Sequence, residues 1–123
     1  RAYLKSGSTV YSEENKLTVN DIVMLNINYS RLDDEDLMCS YITVALPNNL
    51  RMTKLKKNTV DYTAVNKEDH IIIHLHDSPS LNVEIPLYVV CEGEYTFEPV
   101  AIKYNDKYHI SEPFVYSAEV SEQ

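Results

Sequence analysis

The stretch DIVMLNINYS, residues 21–30, places Val23, Leu25, Ile27 and Tyr29 on one side and Asn26 and Asn28 on the other. Successive side chains of a strand point to opposite faces, so an apolar residue at every second position marks a half-buried strand. The same period returns in LMCSYITVALP (37–47), with Ile42, Val44 and Leu46 inward. It returns again in HIIIHLH (70–76) through Ile71, Ile73 and Leu75, and in NVEIPLYVV (82–90) through Val83, Ile85, Leu87 and Val89. Helical periodicity is nearly absent. Polar turn segments separate the runs: DDED, PNN, DSPS, EGEY and NDK. The lysine-bearing RMTKLKKNTVDYTAV (51–65) reads as one or two weaker strands at a sheet edge. Pro99, inside YTFEPVAIKY, marks a bulge or a switch between sheets. The expectation is an all-β domain over residues 1–123, an antiparallel immunoglobulin- or fibronectin-like sandwich of about seven or eight strands.

Composition narrows the function classes. The formal net charge of −8 argues against nucleic acid, whose phosphates call for a basic face. The one basic island, Arg51, Lys54, Lys56 and Lys57, reads as a solvated strand or loop. No run approaches the ~20 apolar residues of a membrane span, so no direct membrane insertion is expected. Ten tyrosines, against two phenylalanines and no tryptophan, suit half-buried strands whose hydroxyls reach water. The opening at Arg1, without methionine, reads as one domain of a longer chain.

Alternation also ranks the reactive residues. With Ile71, Ile73 and Leu75 inward, His70, Ile72, His74 and His76 share the outer face. His74 and His76 are spaced to hold one soft metal ion weakly, and they are the metal candidates. A built centre needs a third and often a fourth ligand, which nothing adjacent supplies, so no metal and no cofactor is expected. Cys39 and Cys91 fall on opposite faces by parity, which a disulfide's short Cβ–Cβ distance forbids unless a bulge intervenes. Two free thiols are expected, Cys91 as a small buried hydrophobe. CEGE (91–94) lacks the glutamine a thioester requires and reads as a hairpin turn, with Gly93 at positive φ. DDED (33–36) reads as a solvated loop more than a calcium loop, lacking the glycine of the sharp turn. Asn28-Tyr29-Ser30 is a glycosylation sequon. His109 stands alone beside a hairpin. With two glycines and no nucleophile elbow, no residue presents itself as catalytic, and the expectation is a protein that is not an enzyme.

Several segments in order carry a family likeness: RAYLKSG, KLTVNDIVMLNINYS, YITVALPNNL and VEIPLYVVCEGEYTFEPVAIKY. Arg1 and Tyr3, the strand entry Asn20-Asp21-Ile22-Val23, Leu46-Pro47, Tyr88 through Gly93 with Tyr95, and Pro99 fall where that family has its motifs. The chain resembles the terminal macroglobulin-like domain of bacterial alpha-2-macroglobulins. Asn20 and the Asn pair of PNNL stand where the family has glycine, and asparagine can take the same left-handed conformation. The resemblance implies an extracytoplasmic, non-catalytic docking module inside a protease trap. Its partners would be other domains of the same chain and, through the full-length protein, a protease. A spacer of a surface adhesin or stalk, and an intracellular trafficking or scaffold module, are the alternatives.

Overall fold

The computed structural model describes residues 2–30, 41–67, 69–76, 80–104 and 107–121. They form strands and turns without helix. In chain order the strands are β1 (Ala2–Ser6), β2 (Thr9–Val10), β3 (Leu17–Thr18), β4 (Ile22–Ser30), β5 (Tyr41–Ala45), β6 (Leu50–Met52) and β7 (Lys56–Asn58). They continue as β8 (Tyr62–Asn66), β9 (His70–Leu75), β10 (Ser80–Val89), β11 (Gly93–Phe97), β12 (Ala101–Tyr104), β13 (Lys107–Ile110) and β14 (Phe114–Glu119). One sheet runs β2-β1-β4-β10-β6 and a second β13-β12-β5-β9-β8-β7, while β11-β14-β3 forms a small third sheet. Among the described residues all pairings are antiparallel except β14 with β3. The fold is a β-sandwich.

The fourteen strand segments among the described residues exceed the expected seven or eight. The excess comes from short pieces. RMTKLKKNTVDYTAV holds β7 and most of β6 and β8 instead of one or two strands. Pro99 separates β11 from β12, and the two lie in different sheets, as a sheet switch requires.

The inward faces match the alternation. Val23, Leu25 and Ile27 stand opposite Leu87, Ile85 and Val83 across the β4–β10 ladder. In the other sheet, Ile102, Ile42, Ile73 and Ala64 form one row across β12, β5, β9 and β8. All ten of these side chains are buried in a single apolar cluster. Among the aliphatic residues of the expected core, Leu46 departs, being half-buried, because β5 ends at Ala45 and Leu46 belongs to the following turn. Asn26 departs in the opposite sense. It lies on the outer face yet is only 1% exposed. Tyr3 and Glu84 flank it in register, and its Nδ2 donates to Glu84 Oε1 at 3.3 Å. Glu84 in turn pairs with Lys5 at 3.2 Å. A polar lid of neighbouring side chains therefore covers the outer face at this point, and alternation alone cannot report it.

Pro86 sits inside the long strand β10, where a missing N–H would ordinarily break a ladder. Its peptide faces the β6 side, where its carbonyl accepts from Thr53 N–H at 3.2 Å and β6 has already ended. Two residues earlier, Glu84 faces the same uncovered side. The Tyr62 hydroxyl donates to Glu84 O at 3.2 Å and accepts from Glu84 N–H at 3.3 Å, taking the place of a strand partner. Lys57 Nζ donates to the same carbonyl.

Candidate functional site

Strand β9 carries His70 and His74, with His76 just past its end. His70, half-buried, shares a hydrogen bond of 2.8 Å between Nδ1 and Asp69 Oδ1. That bond, ahead of the hydrogen bond to Asp69's own amide, holds the Asp69 carboxyl below its usual range. His74 is exposed at the end of the β5–β9 ladder, opposite Tyr41. His76 lies just past β9 and hooks onto the β7–β8 turn: Nδ1–H donates to Val60 O at 2.7 Å, and Nε2 lies 3.3 Å from Thr63 Oγ1. His70 and His76 are thus each engaged by neighbouring protein groups, at opposite ends of the strand. Among the described residues no three His, Cys, Asp or Glu converge on a point that could hold a metal ion.

The other sequence candidates scatter. Cys91 is exposed, not the buried hydrophobe expected. The inward series of β10 ends with the strand at Val89, and Cys91 belongs to the turn before β11. Cys39, the acidic run 33–36 and Asp77 lie outside the described residues, as do the side chains of Tyr29 and His109. Asn28 is exposed, with Nδ2 at 3.4 Å from the Tyr3 hydroxyl. Within the basic island, Arg51 donates to the carbonyls of Asn48 and Leu50 and Lys57 is bound at Glu84, while Lys54 and Lys56 are exposed. Gly93 does take positive φ, at 129°.

Sequence reasoning missed a buried polar link. Asn49 is fully buried; its Nδ2 donates to Cys91 O at 3.2 Å, and its Oδ1 accepts from the Tyr116 hydroxyl. Burial pushes the Tyr116 phenol well above its usual pKa. The link ties the turn before β6 to the third sheet. Neither Asn48 nor Asn49 takes positive φ, so the left-handed conformation allowed for PNNL is not used there. Asn20 does take it, at φ 80°, in the turn closed by Asp21 N–H to Thr18 O. The Tyr88 hydroxyl donates to Asn20 Oδ1 at 2.6 Å, and Asn20 N–H donates to Val89 O.

Among the described residues, a cleft of about 580 Å³ opens where β2 and the residues after it pass the start of β14. Val10, Tyr11, Ile110, Pro113, Phe114 and Val115 contribute its apolar wall, and Glu112 is the one charged group among its described lining residues. Val10 and Ile110 are 40% and 66% exposed, large hydrophobic side chains on a wet surface. The sequence signal was only the apolar letters of VAIKYNDKYHISEPFVY; which of them fold to a rim depends on sheet pairing. The arrangement offers apolar contact and a carboxylate. Nothing described in it pairs a nucleophile with a base.

No protein-family model matches the chain. The chain is 25% identical over 107 residues to translation initiation factor IF-2 of Wigglesworthia glossinidia brevipalpis, an alignment that takes in 77% of this chain and 12% of that protein. The chain thus spans about an eighth of the length of the curated relative it matches.

Proposed function

We propose that this domain is a non-catalytic docking module of a protease-trapping, alpha-2-macroglobulin-like protein, working outside the cytoplasm and contacting other domains of its own chain. The observation that carries the docking part is the 580 Å³ cleft, where apolar side chains stand beside Tyr3, Ser12, Ser111 and Glu112, with exposed Val10 and Ile110 among its lining and no histidine, cysteine or lysine among the described residues of its wall. Such a surface recognises a partner by burial and shape.

The macroglobulin part rests on the motif order and gains support from Asn20. Where the family has a glycine at the strand entry, this chain has asparagine at φ 80°. That is the backbone state for which glycine is the usual choice, so the substitution keeps the turn the motif needs. The test is the full reading frame and its product. A Cys-x-x-Gln thioester sequence upstream, together with protease-induced compaction of the full-length protein on a native gel, is expected. Tandem copies of this domain with no mobility change on proteolysis would replace the trap with a stalk.

A further inference from the structure

The edge of β14 stops short of being filled. On one side β11 pairs with it along Phe114–Ala118. On the other side the main-chain groups of every second residue point outward, and their fates differ along the strand. Glu119 O accepts from Val19 N–H at 2.9 Å, and Ser117 N–H donates to Ser12 O at 3.3 Å. Val115 comes next in the same orientation. Among the described residues no hydrogen bond reaches its N–H or C=O on that side, and Val115 itself lines the cleft. An unpaired donor and acceptor on a half-buried residue, one ladder step from paired neighbours, form a template for an added strand.

From this we infer that the cleft takes one extended polypeptide segment, apolar on alternate residues and carrying a Lys or Arg, added as a strand against Val115. The inference rests on the docking reading and specifies its site. Main-chain hydrogen bonds to Val115 would set the register. Val10, Tyr11, Ile110 and Phe114 would take the alternate apolar side chains. The demand for a basic residue comes from charge. Glu112 is the charged group among the described residues of the wall, exposed Glu13 and Glu14 follow the lining residue Ser12 in the chain, and the whole chain carries −8. An acidic segment would meet repulsion from all of these, and a basic one attraction that salt weakens.

The probe is a blocked synthetic heptapeptide of alternating Val and Thr with one central Lys, titrated into the intact domain and followed by amide NMR and calorimetry. The expected result is a saturable shift of the Val115 amide, slower hydrogen exchange there, and at least tenfold weaker binding when the central Lys is replaced by Glu. In the Glu112→Lys variant, altered on an exposed residue outside the strands, the preference for the Lys peptide should fall or reverse. N-methylation of the alternate peptide amides that face β14 should abolish binding while keeping the side chains. Binding that ignores the sign of the central residue, or that leaves Val115 unshifted, overturns the site. So does concentration-dependent dimerisation that occupies the Val115 edge and excludes the peptide, since the occupant is then a second copy. If the peptide fails while the domain still binds neighbouring domains of the full-length protein, the cleft is wrong and docking stands. If the peptide binds at Val115 and no neighbouring domain does, the docking reading falls and the cleft remains.

Discussion

Tyr116 and Asn49 show how much one hydrogen bond between distant residues can carry. The phenol is fully buried against Tyr95 and Phe114, with ring centroids at 5.9 and 6.3 Å, and its hydroxyl satisfies a fully buried amide oxygen. Tyr116→Phe keeps the ring and strips Asn49 Oδ1 of its donor. Leaving a buried acceptor unpaired should cost about 1–3 kcal/mol in urea unfolding, with little change in the slope. A loss within error would mean that another donor replaces the phenol. Asp69 makes a smaller, exposed counterpart. Its carboxyl is held low by His70, so its share of stability is present above the unfolded-state pKa and is lost as pH falls through the lower folded value. In an NMR titration the Asp69 carboxyl should titrate below the ordinary range, and His70→Ala should raise it towards that range. An unchanged midpoint in the variant would assign the shift to the backbone amide.

At the scale of the element, β9 is the best test of the inward face. Ile73 is fully buried, with Ile42 beside it on β5 and Ala64 on β8. Ile73→Ala removes its contacts on both sides and should destabilise the domain by about 2–5 kcal/mol, read by chemical denaturation. Ile72→Ala, one position along and half-buried on the other face, should cost clearly less. Equal losses would contradict the assigned face. This face was legible because period two survives wherever one side of a strand is dry. The third sheet was less legible. Leu17, Phe97, Tyr116 and Ala118 are buried there, but β3 is two residues long and β11 alternates weakly, so no run announces them. The closure of the β10 edge was not legible at all. It needs Tyr62 to meet Glu84, 22 residues away, and only the sheet pairing brings them together. The cleft is of the same kind, for Val10 and Val115 become neighbours through two sheets. The histidines were legible in face but not in use, since His76 is turned by a hairpin carbonyl that no local pattern predicts.

For the whole molecule the decisive quantity is charge. Nineteen acidic against eleven basic side chains leave a net −8, drawn together over one small folded surface. In the unfolded chain the same charges stand farther apart, so their repulsion opposes folding. Opposing it are a few local pairs, of which Lys5 with Glu84 at 3.2 Å is partly shielded and so less sensitive to salt. The range of the repulsion is set by ionic strength, about 30 Å at 0.01 M and about 8 Å at 0.15 M, the first comparable to the domain itself. Raising sodium chloride between about those two concentrations at pH 7 should therefore raise Tm, because screening removes more repulsion than attraction. Near the isoelectric point of about 4.8 the net term vanishes and only the local attractions remain to be screened, so the rise should disappear or change sign. Scanning calorimetry across both variables reads the difference directly. A Tm that falls with salt at pH 7 would mean that paired charges outweigh the net field. The acidic surface would then be ordered by local pairing, and the bias of the cleft towards basic segments would have to come from Glu112, Glu13 and Glu14 and not from the net field.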